Sequence, residues 1–339
     1  MTQRLGSVVP VIVGVGVLAW LCWHFGLSDF ATALGRLSPA TLVLYFLCGV
    51  AVRVGQGMRW RMVANAVGTP LPLPRLIAVR LAGDAVGSLV PSAKLAGEPL
   101  RIALLYAGGV AGAPASAGVS IDRILEVISN MLCFIVFVAV FAWAHAFGAL
   151  HRTALALILM MAGLLLILSI PLLMLRRGIP PLAPFYGSRA QRWFAPLVRW
   201  MPVLQRVEAH LLQFFRDRPV TLVWGVLASL FIELLTVCEY HFLLASFAVD
   251  LDLPTLLLAL VGTGVARTVP APGGLGALEA SQVGVLALAS GRPAIGFVVG
   301  VVMRLHETLW MAIGLLALTW QGRVLARLRS VTPESKLVA

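Results

Sequence analysis

The stretch Arg267-Thr268-Val269-Pro270-Ala271-Pro272-Gly273-Gly274-Leu275-Gly276-Ala277-Leu278-Glu279 decides how the chain folds. It stands in the middle of an otherwise apolar run, residues 255–290. A proline removes a backbone donor and clashes with the preceding turn, so no straight helix passes through Pro270 and Pro272. In a bilayer such a break survives only where the backbone is buried in protein or lines a polar cavity. The prolines stop one half-helix, and the glycines let backbone amides approach a ligand. A second half-helix then starts with its positive dipole end toward the break. Arg267 adds a fixed charge suited to a phosphate.

A second apolar stretch, 76–108, is interrupted in the same way by Val90-Pro91-Ser92-Ala93-Lys94-Leu95-Ala96-Gly97-Glu98-Pro99-Leu100-Arg101, where Lys94 and Arg101 can serve the same purpose. The two stretches resemble each other. Gly83, Val86, Val90, Pro91 and Gly97 match Gly262, Val265, Val269, Pro270 and Gly276 at an offset of 179 residues. The helix after each carries R-x-x-E, as Arg123/Glu126 and as Arg304/Glu307. Both stretches read as re-entrant hairpins or pairs of short helices.

Around them, six segments read as full crossings: 8–25, 41–62, 117–143, 153–175, 220–248 and 294–320. The 339 residues are 60% hydrophobic and 12% charged, against ~45–50% and ~25% in soluble domains. A packed core needs a polar shell, so this composition excludes a soluble globule. The first apolar segment is long enough to span and no small-x-small cleavage site follows it, so it reads as a retained helix and not a signal peptide. The expected fold is an all-α polytopic membrane protein, one transmembrane domain over 1–339. Repeat one covers about 41–143 and repeat two about 220–320, related by inverted topology. Transporters built this way hold substrate at the repeat interface near the midplane.

Charge placement supplies orientation. The chain has 26 basic and 14 acidic residues, and only Lys94 and Lys336 are lysine. Arg4, Arg59, Arg61 and Arg75, eight arginines from Arg176 to Arg218, and Arg323, Arg327, Arg329 and Lys336 fall on one side. Arg36, Arg152 and Arg292, with Asp29, Asp250 and Asp252, fall on the other. The positive-inside rule then puts both termini in the cytoplasm. The basic excess reports orientation and anionic lipid, not nucleic acid. Within the basic segment 176–218, the part from 180 alternates arginines with Trp193, Leu197, Trp200, Leu204, Leu211 and Phe214. It reads as an amphipathic helix on inner-leaflet lipid, kinked at Pro202, or more simply as a solvated basic loop.

Ionisable groups inside spans are costly unless paired or solvated. They include Asp84, Lys94, Glu98, Arg101, Asp122, Arg123, Glu126, Glu233, Glu239, Arg267, Glu279, Arg304 and Glu307. On a helix Arg123 and Glu126 share a face, as do Arg304 and Glu307. The cheapest arrangement points both pairs and both hairpins at one polar cavity. The inert alternative makes them closed ion pairs that keep the helices in register, but an inert bundle does not need so much desolvated charge.

Other signals are poor. Cys22, Cys48, Cys133 and Cys238 stand singly in apolar runs, so neither a metal site nor a disulfide framework is expected. There is no P-loop, and no cofactor is expected. Asp250-Leu251-Asp252 has the form of a metal-binding D-x-D, but Asp252 before Leu253-Pro254 reads better as a helix N-cap. His241 and His306 read as packing histidines.

The V-P-A-P-G-G-L-G-A-L-E string, the G-E-x-x-R after Pro91 and the D-R-x-x-E at Asp122 resemble the flippase-like family, the membrane region of lysylphosphatidylglycerol synthases, over about 8–320. A subgroup of free-standing members of this size is associated with hopanoid biosynthesis. The family often has a glycine pair before the first hairpin's acid, where this chain has Ala96-Gly97. Only 19 residues follow the last helix, so aminoacyl transfer is not expected. The resemblance implies movement of an anionic lipid or lipid-linked headgroup between leaflets. Lys94, Glu98, Arg101, Asp122, Arg123, Glu126, Arg267, Pro270, Gly273, Gly274, Glu279, Arg304 and Glu307 would form the substrate site. Two rivals stay open: an integral-membrane transferase on a lipid phosphate near Asp250, Asp252 or Glu239, and a non-transporting scaffold for lipid-biosynthesis enzymes. Lipid identity, energy source and oligomeric state are left open.

Overall fold

A computed structural model describes residues 37–90, 96–144, 150–186, 201–269 and 276–331, with 23 and 35 as isolated positions. Among the described residues the chain is all α, with ten helices. They are α1 Pro39–Ala66, α2 Leu73–Leu89, α3 Gly97–Ala107, α4 Gly112–Ala144 and α5 Leu150–Arg176, then α6 Met201–Asp217, α7 Pro219–Ser246, α8 Leu253–Thr268, α9 Ala277–Ser290 and α10 Pro293–Val331. Five of them (α1, α4, α5, α7 and α10) are long and apolar enough to cross a membrane. These match five of the six expected crossings; the sixth, 8–25, lies outside the described residues.

Proline chemistry sets many of the ends. α1, α7 and α8 carry proline at their first or second position, where the missing donor costs nothing. α2 stops at Leu89 and α8 at Thr268, each just before a proline that excludes the preceding residue from helical geometry. Asp252 is the N-cap residue of α8, as expected, although its side chain makes no capping bond. At 17, 11, 16 and 14 residues, α2, α3, α8 and α9 fall short of the ~20 residues that a crossing needs. The two broken stretches are therefore the pairs α2/α3 and α8/α9, and each pair packs on itself. α2 and α3 meet so closely that a Cβ on Gly83 would lie 2.6 Å from Arg101 Cγ and one on Gly97 would strike the Gly83 carbonyl.

The two halves of the chain correspond. Helices α1–α4 start at Pro39, Leu73, Gly97 and Gly112, and α7–α10 start at Pro219, Leu253, Ala277 and Pro293; the offsets are 180, 180, 180 and 181 residues. Contacts between halves are reciprocal, with α2 packed on α10 and α8 on α4. α1 packs along α7, and the two run antiparallel. Ser38 N–H donates to the Ser246 carbonyl, Gly49 faces Glu239, Gly55 faces Ile232, and Arg59 reaches Ser229. One core cluster joins Tyr45 of α1 with Leu243, Leu256, Leu278 and Val299 of α7–α10, and another joins Trp60, Leu76, Leu104 and Val119 of α1–α4.

Two expectations change. Arg59 was assigned to a cytoplasmic edge, but it is 2% exposed inside the bundle, so it carries no information about orientation. The amphipathic segment spends its apolar face on protein: Phe214 and Phe215 of α6 are buried with Val63, Ile121, Leu125 and Leu175. Gln205, Arg206, Gln213 and Arg216 face outward, so the lipid-lying reading fails for 201–217. Residues 187–200 lie outside the described residues. Glu208 anchors α6 by accepting from Leu182 N–H at 2.6 Å and from the Tyr186 hydroxyl at 2.8 Å. Loss of water, and then that carboxylate, push the Tyr186 hydroxyl above its ordinary range.

Candidate functional site

The charged residues form two clusters, one beside each helix break. In the first, Asp122 of α4 is fully buried and accepts from Arg59 Nε at 2.9 Å and Arg80 Nη1 at 2.5 Å. Glu126, one turn on, takes Arg80 Nη2 at 2.6 Å, Arg59 Nη2 at 3.3 Å and Arg123 Nη1 at 3.2 Å. Arg101 of α3 pairs with Asp84 of α2 and lies 3.6 Å from Glu98. Arg123 also reaches Glu98 at 3.8 Å. Ser229 of α7 and Gln56 of α1 accept from Arg59 and Arg80 at 3.1 and 3.2 Å. Four arginines and four carboxylates thus tie α1, α2, α3 and α4 together. Three of the guanidiniums (Arg59, Arg80 and Arg101) and one acid are almost wholly removed from water, which only this density of partners can offset.

The second cluster repeats the plan with fewer members. Arg304 of α10 donates to Glu279 of α9 at 2.9 and 3.3 Å and to Glu307 at 3.1 Å. Arg267, at the end of α8, donates to Glu307 at 3.0 Å and lies 2.8 Å from it through Nη2. Glu279 is 1% exposed, and its second oxygen accepts the Gly276 N–H at 2.9 Å. Gly276 holds φ at +76°, a conformation open to glycine at little cost. The positive end of α9 is thus already occupied by its own acid; Glu98 also lies in the first turn of α3 but makes no capping bond there among the described residues. The start of α9 is closed by a carboxylate that an entering anion would have to displace.

Between the clusters stand α1 and α7. Glu233 lies within electrostatic reach of Glu126, Arg59 and Arg267, and the Asn130 amide donates to it at 2.6 Å and to the Glu126 carbonyl at 3.0 Å. His306 is a packing histidine, as expected. It is buried between Tyr45 and Phe46, accepts Trp310 Nε1–H at 2.7 Å, and faces Glu239 through Nδ1 at 3.3 Å. His241 is not: it is exposed, with its ring near that of Phe242. Asp250 and Asp252 are exposed in the turn between α7 and α8. No group of three His, Cys, Asp or Glu residues is placed to hold a metal ion among the described residues.

Of the expected site residues, Glu98, Arg101, Asp122, Arg123 and Glu126 come together in one cluster, and Arg267, Glu279, Arg304 and Glu307 in the other. Lys94, Pro270, Gly273 and Gly274 lie outside the described residues. Sequence reasoning missed Arg59, Arg80 and Arg53. The signals were present: Arg53 and Arg59 stand inside the apolar run 41–62, and Arg80 is four residues before Asp84 on a helix, within ion-pair distance.

The family described as "Lysylphosphatidylglycerol synthase TM region" matches residues 7–332. Two relatives, each named "UPF0104 membrane protein", come from Methanothermobacter thermautotrophicus. One is 23% identical over 331 residues, spanning 93% of this chain and 95% of that protein. The other is 25% identical over 300 residues, spanning 84% of each.

Proposed function

The chain belongs to the family of lysylphosphatidylglycerol synthase transmembrane regions, and from that premise we propose that it moves an anionic lipid, or a lipid-linked headgroup, between the two leaflets of a bacterial inner membrane. One observation carries the reading: the membrane-embedded charges gather in two clusters, each beside an interrupted helix pair. The equal helix offsets, the reciprocal contacts and the antiparallel α1 and α7 support an inverted repeat with both termini cytoplasmic. In such a repeat the substrate site lies between the halves near the midplane.

Lys94, Arg101, Arg123, Arg267 and Arg304 would neutralise a headgroup phosphate while the tails stay in the bilayer. Glu98, Asp122, Glu126, Glu279 and Glu307 hold those cations when the site is empty. Pro270, Gly273 and Gly274 would shape the second loop around the ligand. Substrate and acid then compete for the same guanidiniums, which allows release as well as binding. A free-standing member of the subgroup associated with hopanoid biosynthesis, with lipid-modifying enzymes as neighbours, is one form that this function would take.

The test is reconstitution into liposomes with fluorescent phosphatidylglycerol, phosphatidylcholine or a polyprenyl phosphate, read by a membrane-impermeant quencher. Quenching beyond the outer-leaflet half for an anionic lipid, abolished in Arg304→Ala and Arg267→Ala proteins that still insert, is the expected result. Normal movement in both variants would remove these residues from the site. Metal-dependent turnover of a lipid phosphate, with no movement, would replace transport by transferase chemistry.

A further inference from the structure

The helices carry seven arginines into or beside the two clusters, at 53, 59, 80, 101, 123, 267 and 304. Six of them have a carboxylate within 4.0 Å. Arg53 has none among the described residues. It is the fifteenth of the 28 residues of α1, so at 1.5 Å per residue it sits ~20 Å from either end of its helix. A charge held at that depth without a counter-charge calls for a functional reason.

Among the described residues, Gln56 alone accepts a hydrogen bond from Arg53. Its guanidinium lies over the Trp310 ring, 5.5 Å from the centroid. Stacking uses the face of the group, while its N–H bonds lie in its plane and point outward. Gln56 Oε1 accepts from Nη1 at only 3.5 Å and is shared with Arg80 at 3.2 Å. Nε is buried and has no hydrogen-bond partner among the described residues. The ring beneath is fixed, since Trp310 Nε1–H is held by His306 and His306 by Glu239. Asp84 and Tyr45 lie within electrostatic reach, and the Asp84 charge is already taken by Arg101 and Arg80.

The geometry points to Arg53 as the first receptor of the ligand's phosphate group, an anion-binding residue separate from the closed ion pairs. Its guanidinium donors match two phosphate oxygens, the bidentate pairing that arginine makes best. A phosphate can bind there without breaking any salt bridge, and the paired arginines at 101, 267 and 304 then exchange partners afterward. Trp310 keeps the fork preorganised. This deepens the lipid-moving reading and rests on it for the source of the phosphate, a lipid.

The experiment uses the purified full chain in detergent. Phenylglyoxal modifies arginines, and peptide mass spectrometry follows the Arg53 peptide. Phosphatidylglycerol should slow its modification at least tenfold, while diacylglycerol, which lacks the phosphate, should not. Inorganic phosphate that protects equally assigns recognition to the phosphate alone; protection only by the phospholipid assigns it to phosphate with tails. Equal modification with and without phosphatidylglycerol, or equal protection by diacylglycerol, overturns the inference. As a second arm, Arg53→Gln should keep the unliganded thermal midpoint yet bind phosphatidylglycerol at least tenfold more weakly, with Arg53→Lys intermediate. Full affinity in Arg53→Gln also overturns it. Protection and affinity loss in a protein that moves no lipid in liposomes would leave Arg53 an anion site and sink the transport reading alone.

Discussion

Asp122→Asn is the sharpest test of the first cluster. The carboxylate is fully buried and serves Arg59 at 2.9 Å and Arg80 at 2.5 Å, with Arg101 at 4.0 Å. An asparagine keeps one acceptor and turns the other into a donor aimed at a guanidinium. Removing one member of a buried pair costs about 3–5 kcal/mol, because the remaining charge is left uncompensated. Here the stranded cations keep other partners: Glu126 and Ser229 for Arg59, Glu126 and Gln56 for Arg80. The loss should therefore fall at the low end, about 3 kcal/mol, roughly a hundredfold in the folding equilibrium. The assay is reversible unfolding in mixed micelles with rising dodecyl sulfate, followed by far-ultraviolet circular dichroism. Glu126→Gln is the internal comparison, since Glu126 is 21% exposed and should lose less. A loss below about 1 kcal/mol for Asp122→Asn, the range of exposed pairs, would mean that water reaches the cluster and would refute its description as desolvated.

Two further outcomes follow from packing. A Cβ at Gly314 would strike the Leu81 carbonyl and lie 2.8 Å from Ala85 Cβ, so Gly314→Ala should destabilise by about 1–3 kcal/mol. Gly284→Ala, with open space around it, should be neutral or stabilising in the same unfolding assay. Tyr240→Phe removes a 2.5 Å bond to the buried Gln282, whose amide in turn donates to Thr263 at 2.9 Å. It should cost about 1–3 kcal/mol, and replacing Gln282 by leucine in that background should recover part of it.

The fold was legible wherever local chemistry acts alone. Pro91 and Pro270 predicted the ends of α2 and α8 because a proline constrains its predecessor whatever surrounds it. The R-x-x-E pairs were legible because three residues on a helix share a face. Arg59 was not. By sequence it is an arginine near the end of a span, and what makes it internal is Asp122, 63 residues away, together with Ser229 of the other half. The lipid reading of 201–217 failed for the same reason: amphipathicity shows that α6 needs an apolar neighbour, but not that Val63, Ile121 and Leu125 supply it. Glu279 shows a third kind of gap. Glycine and proline marked a helix start open to an anion, and the acid three residues on had already closed it.

The antiparallel fit of α1 and α7 has an electrical consequence. Both helices have 28 residues, and Arg53 and Glu233 are each the fifteenth, so the two charges sit at nearly one depth. A charge passed between them crosses almost none of the membrane voltage. A full crossing is worth about 2.3 kcal/mol per elementary charge at 100 mV, so the path from this level to either surface carries about half of that. Voltage would then act with equal weight on entry and on departure, and a charged ligand at this level would sit at the balance point of the field.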